Sequence, residues 1–143
     1  MYDKQGPNLI LIKSKEGFII GGYTPLSWNN VGGWKGDNDT FLFSLTNEKI
    51  FPKINKEGSI YCNNNYGPWF AYIGFYDGLN MSKGKFLYKK SDFYFKNIND
   101  IIPNESKDKC FDVEEVEVYK IIKNEWRKLN LCIKVTFLIY WFY

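Results

Sequence analysis

Histidine is absent from all 143 residues of the chain. Without an imidazole there is no Ser-His-Asp triad, no Cys-His pair, no HExxH zinc motif and no histidine general base, so most hydrolase designs are excluded. Cysteine is scarce. Cys62, Cys110 and Cys132 are odd in number and far apart, which argues against a disulfide scaffold or a CxxC zinc site and for a reducing compartment. A long apolar run is lacking too: the tail from Leu131 to Tyr143 is interrupted by Lys134 and falls short of the roughly 20 residues that span a bilayer. Met1 to Lys13 has no signal-peptide layout, so a cytoplasmic location is expected. The N-x-S/T triplets at Asn38, Asn80 and Asn104 read as chance matches in an Asn-rich chain.

Neither sign of charge dominates. The formal net charge is +3 and the isoelectric point is near 8.6, short of the concentrated positive face of a duplex-DNA binder. Gly32-Gly33-Trp34-Lys35-Gly36 lacks the Gly-Lys-Ser/Thr ending and the following helix of a phosphate-binding loop, and reads as a flexible surface loop. Asp37 and Asp39 are too close together, with no later Glu, for a calcium loop, and are expected to cap a turn. No metal or cofactor site is expected.

What the chain does have is material for a core: 45% of its residues are hydrophobic and 20% aromatic. At this length it makes one domain able to bury about two-thirds of its unfolded surface. Asn8 to Ser14 and Phe18 to Thr24 are apolar runs joined by Lys15-Glu16-Gly17, the pattern of a hairpin. Gly21 and Gly22 inside the second run predict a bulge or the close approach of a neighbour. Pro25 to Asp39 reads as a long loop with one helical turn. Thr40 to Thr46 alternates as a strand buried on at least one face. Lys49 to Lys53 and Gly58 to Asn63 give two further short strands, Asn63 to Pro68 a polar loop, and Trp69 to Tyr76 an extended aromatic run. Phe86 to Lys96 predicts one or two strands, and Asn97 to Lys109 a polar loop.

Phe111 to Ile121 is the longest predicted strand, and its phase slips. Phe111 and Val113 share one phase while Val116 and Val118 share the other, so a β-bulge is expected near Glu114-Glu115. No segment before Lys123 has helical periodicity, and Asn124 to Leu129 reads as a short helix. Many short strands with Gly, Pro and Asn turns point to a mostly β fold, a sandwich or a barrel.

Several pieces then occur in a specific order. They are Gly6-Pro7, Gly21-Gly22-Tyr23-Thr24 with Ser27-Trp28, and Phe41-Leu42-Phe43-Ser44-Leu45. Ile60-Tyr61-Cys62 with Tyr66-Gly67-Pro68 follows, and then Val113-Glu114-Glu115-Val116-Glu117-Val118-Tyr119. Together, from about Gly6 to Ile121, they resemble the TLDc family. The resemblance implies a two-layer antiparallel β-sandwich with few short helices, here with Phe41, Phe43, Val116 and Val118 expected to face the opposite layer. It implies a non-catalytic binding or regulatory domain, similar to domains of eukaryotic proteins that protect against oxidative damage, several of which bind subunits of the vacuolar-type proton ATPase. The family has no settled reaction, so no catalytic residue carries over. The family's N-terminal lead-in has no counterpart here, which leads to the expectation of an N-terminally shortened domain over residues 1–122. Residues 123–143 are expected to form a divergent apolar tail.

Two surfaces stand out as binding candidates. Tyr66-Gly67-Pro68-Trp69 pairs a rigid turn with aromatics, whose large area at low entropic cost suits recognition; a structural turn is the plainer account. Glu114, Glu115 and Glu117 offer a docking face for a basic partner or a paired-carboxylate site, whereas alternation alone explains them as a solvated strand face. Cys62 as a peroxide-reactive thiol is the enzymatic alternative, but no local cation activates it, and a buried cysteine is expected. A ligand-binding sandwich for carbohydrate or single-stranded nucleic acid, using Trp69, Tyr72 and the lysine-studded Phe86 to Lys96, is the third reading; ordinary strand lysines explain the same pattern, and nucleic acid is disfavoured.

Overall fold

The computed structural model describes residues 6–29, 32–63, 65–71, 73–75, 80–86, 94–102 and 110–121. The strands are β1 (Asn8–Ser14), β2 (Ile19–Thr24), β3 (Gly33–Lys35), β4 (Phe41–Ser44) and β5 (Lys49–Pro52), followed by β6 (Ile60–Cys62), β7 (Trp69–Phe70), β8 (Ile73–Phe75), β9 (Lys83–Phe86) and β10 (Cys110–Lys120). Neighbours run in the order β3-β6-β7-β8-β9-β10-β1-β2-β4-β5. Each pairing is antiparallel.

β10 belongs to two sheets. Cys110 to Asp112 pair with β9, and Val113 to Lys120 pair with β1. The predicted bulge sits at this handover: Lys13 faces Glu115 and Ser14 faces Val113, so Glu114 is the extra residue. Because of it, Phe111 and Val113 before the bulge, and Val116 and Val118 after it, all contribute to the same core. A strand with strict alternation could not do this.

The main core lies between the two sheets. Ile10, Ile12, Ile20, Leu42 and Phe51 come from one, and Ile60, Phe70, Ile73 and Phe75 from the other. Burying each such side chain contributes roughly 1.5–3 kcal/mol relative to leaving it in water. This is the mostly β sandwich that the strand pattern predicts, with the β1–β2 hairpin in the expected place.

Three details differ from the sequence-based expectations. Gly33 to Lys35 is an edge strand, not a flexible loop or helical turn, because it pairs with β6 in a contact that local sequence does not encode. The polar stretch after Asn97 contains a 3-10 turn at Ile98–Asp100, whose Ile98 and the following Ile101 reach the main core. Phe41 and Phe43 do not face the opposite layer. Alternation turns Leu42 inward, and the two rings join Leu9 and Leu11 in a second cluster on the outer face of the same sheet.

Gly21 and Gly22 make both faces possible. A Cβ on Gly22 would lie 2.7 Å from the Phe70 ring of the other sheet, and one on Gly21 would lie 2.5 Å from the Phe43 ring. The pairing of β1 with β2 has no bulge there. Of the two options the sequence left, close approach is the one used. Within the aromatic run, Trp69–Phe70 and Ile73–Phe75 form two short strands, with Trp69 opposite Gly74. Phe95 bridges to Lys53. Residues 87–93 and 103–109, Tyr72, Tyr76, the Asn124 to Leu129 helix and the 123–143 tail lie outside the described residues.

Candidate functional site

Antiparallel partners project to the same face, and on the outward face of β3-β6-β7 this places aromatics side by side. Trp34 pairs with Tyr61, and Tyr61 pairs with Trp69. The Trp34 and Tyr61 rings are 5.0 Å apart and tilted by 52°. Tyr66 meets Trp69 edge-on at 5.7 Å. Beyond Trp34, Tyr94 stacks at 6.5 Å with its plane only 16° off. Ile60 and Cys62 alternate inward to the core. Trp34 is 52% exposed and Tyr66 40%. The row therefore presents aromatic area to solvent on a sheet that ends at an edge strand.

The loop that supplies Tyr66 is held from below. Pro68 is buried, and Gly67 sits close against Met81 and Phe75. Trp69 lies over Gly74, where a Cβ would be 2.1 Å from the indole Cδ2. The turn thus leaves Tyr66 exposed and Trp69 half-buried, with Pro68 beneath them. Cross-strand aromatic pairs of this kind each contribute about 0.2–1 kcal/mol to a sheet, so the row also steadies the edge.

Lys53 adds a cation at the end of the row. Its Nζ is 5.1 Å from the Tyr94 ring centroid and 5.2 Å from that of Phe95, and it donates to the Glu57 carbonyl at 2.7 Å. Burial lowers its pKa from the ordinary 10.5 to about 8, against an opposing pull from Asp37. The desolvation of the half-buried ammonium outweighs that attraction.

Two carboxylates in the first half of the acidic strand are paired with lysines. Glu114 pairs with Lys13 at 3.2 Å, and Asp112 pairs with Lys83 and, at 4.0 Å, with Lys15. Glu117 accepts from the Tyr119 hydroxyl at 2.7 Å. Burial and the Glu117 and Glu115 carboxylates push the Tyr119 pKa up to about 12. Glu114 and Glu115 are exposed. In the strand order β8 and β9 stand between Trp69 and this strand, so the two candidate surfaces are not brought together.

Asp37 caps a turn, as expected. Its Oδ1 accepts the N–H groups of Asp39 (2.7 Å) and Thr40 (2.6 Å), and its Oδ2 accepts from the Thr40 hydroxyl at 2.6 Å. Its own N–H donates to Ser59 Oγ at 2.9 Å, which ties the turn to the segment leading into β6. Cys62 is buried in the main core at 1% exposure. Trp28 packs edge-on against Phe70 at 5.6 Å, Tyr23 stacks on Phe41 at 5.3 Å, and the Ser27 carbonyl accepts from Lys35 Nζ. The Gly6-Pro7 lead-in is tied to the end of β10 by the Ile121 N–H donating to the Pro7 carbonyl at 2.9 Å. Each of these motif residues thus packs or hydrogen-bonds within the fold. Among the described residues no group of three or more Cys, Asp or Glu is placed to hold a metal ion, and no helix is long and apolar enough to cross a membrane.

The contributions of Trp34, Tyr61, Tyr94 and Lys53 were not visible from sequence. They come from four separated segments, and only strand pairing reveals that they are neighbours.

Comparison with known proteins agrees with the motif series. The TLDc domain family matches residues 1–122. The chain is 32% identical over 69 residues to the chicken (Gallus gallus) MTOR-associated protein MEAK7, covering 48% of this chain and 13% of that protein. It is 30% identical over 69 residues to the Xenopus laevis protein of the same name, with the same coverage. The mouse (Mus musculus) counterpart is 28% identical over 71 residues, covering 50% of this chain and 14% of that protein. The chain thus spans only about an eighth to a seventh of the length of these curated relatives. By the family match and the order of its motifs, this chain belongs to the TLDc domain family.

Proposed function

We propose that the chain is a non-catalytic, protein-binding regulatory module, and that the aromatic row Trp34–Tyr61–Trp69 with Tyr66 is its principal contact surface. The observation that carries this reading is the exposure of two large aromatics, Trp34 on the edge strand β3 and Tyr66 in the loop before β7. Trp and Tyr dominate the energetics of protein interfaces. The lack of histidine and the burial of Cys62 both count against an enzymatic reading, because peroxide must reach a thiolate. The partner classes to try first are subunits of the vacuolar-type proton ATPase, with a role in resistance to oxidative stress, and mTOR, with which the relatives are associated by name.

The test is direct binding of the full chain to purified proton-ATPase subcomplexes and to mTOR complexes, with Trp34→Ala and Tyr66→Ala as contact variants. Binding weakened at least tenfold by either variant, with the fold intact by circular dichroism, is the expected result. No binding to any of these partners would remove the named partners. Binding indifferent to both variants would remove the surface.

A ligand-binding role is the second reading, favoured by the same row, since sugars and bases also stack on Trp and Tyr. Tryptophan fluorescence titrated with glycans and single-stranded oligonucleotides tests it. Flat responses end it.

A further inference from the structure

The β10-β1-β2-β4-β5 sheet is apolar on its inner face and, over β1, β2 and β4, on much of its outer face, while Glu115 and Glu117 of β10 share that outer face opposite Lys13 and Leu11. Its inner face packs into the main core. On its outer face Leu9, Leu11, Phe41 and Phe43 are each less than 7% exposed, with Tyr23, Leu45, Ile50 and Ile121 around them. All these described members come from the strands of that one sheet, the turn after β4 and the residue after β10. A sheet that closed a simple two-layer sandwich would alternate between apolar and polar and leave this face to water. Here β1 reads Leu9-Ile10-Leu11-Ile12 and β4 reads Phe41-Leu42-Phe43, the continuous apolar pattern of strands covered on both sides.

We propose that the outer face is a docking site taken up in cis by residues 123–143 of this same chain. The described residues end at Ile121, whose side chain already packs against the cluster and whose N–H is anchored to Pro7, so the chain leaves β10 at the rim of this face. The 22 residues that follow are long enough. At about 3.3 Å per residue, the stretch Leu131 to Tyr143 alone reaches roughly 40 Å, against about 19 Å across the strands of the face. Their chemistry fits as well. Leu131, Ile133, Val135 and Phe137 alternate with Cys132, Lys134 and Thr136, which gives one apolar stripe, and Lys134 is the only charge between Leu131 and Tyr143. The Leu9, Leu11, Phe41 and Phe43 cluster needs such an apolar stripe, and Glu115 and Glu117 at the β10 border of the same face suit the single charge, Lys134.

The experiment is site-specific photocrosslinking in the full chain. Ile50 and Tyr23 lie at the rim of the outer face and are only partly buried; each is replaced in turn by p-benzoylphenylalanine. Ile54, 55% exposed in the turn after β5, is the control position. The expected result is an intramolecular crosslink from positions 50 and 23 to peptides within residues 123–143, several-fold more abundant than from position 54. Two probe sites keep the test intact if one substitution disturbs the sheet, with circular dichroism as the check on folding. Crosslinks to a second copy of the chain that rise with concentration, crosslinks confined to residues 1–122, or equal yields from all three positions would each overturn the proposal.

Discussion

The ring of Phe43 occupies the space that a side chain on Gly21 would need. A Cβ at Gly21 would lie 2.5 Å from Phe43 Cζ and 2.2 Å from the Ile10 carbonyl oxygen. The second contact is with the neighbouring strand's backbone and cannot be relieved by a rotamer change. Gly21→Ala is therefore expected to cost about 1–3 kcal/mol, the usual range for forcing atoms into a packed site. Chemical denaturation reads this as a lower midpoint, and an unchanged midpoint would show that β1 and β2 have slack.

The bulge at Glu114 makes a sharper prediction. Deleting Glu114 restores strict alternation and turns either Phe111 and Val113 or Val116 and Val118 away from the core. The loss should be at least that of one emptied core position, about 2–5 kcal/mol. Glu114→Ala keeps the backbone count and removes only the exposed pair with Lys13, which is worth about 0–1 kcal/mol. Comparable losses from the two variants would refute the account of the bulge.

Lys53 predicts a dependence on pH. Its pKa is about 8 in the fold against an ordinary 10.5, with burial as the main cause. Between those values the unfolded chain holds a proton that the folded chain has released, so stability from this group rises with pH across the window. Below about 8 both states are charged, and the fold bears the full desolvation cost. Lys53→Met should thus compare best with the parent chain below that pH, with its relative advantage shrinking as pH rises toward 10.5. Thermal melts of both chains across the range measure the difference, and a constant difference would contradict the assignment.

Thiol accessibility separates the two described cysteines. Cys110 is exposed and Cys62 is buried. In single-cysteine variants, a thiol reagent should label Cys110 rapidly, whereas Cys62 should be labelled only at the rate at which the core opens. Fast labelling of Cys62 in the native protein would reopen the antioxidant-thiol reading.

Legibility in the sequence followed the range of the interaction involved. The hairpin Asn8 to Thr24 was readable because its turn and both strands are contiguous. The bulge was readable because a phase slip between Val113 and Val116 is a local fact. The role of Gly33 to Lys35 was not, since the Gly-Trp-Lys segment is too short to show alternation and becomes a strand only through pairing with Ile60 to Cys62. The composition of Tyr66 to Trp69 marks that loop in the sequence, but its neighbours Trp34, Tyr61 and Tyr94 become visible only when strand order and ring contacts place them beside it.

By itself the sequence determined that the chain is mostly β, that histidine chemistry is closed to it, and that its motifs follow the TLDc order. Residue types and their alternation carry those properties, and neither requires knowing which strands meet. Only the tertiary structure decided that Phe41 and Phe43 turn outward while Leu42 turns in, and that four separated aromatics share one surface. Both outcomes rest on pairing between distant segments, whose free energy comes from burial and backbone hydrogen bonds that no single segment can form alone.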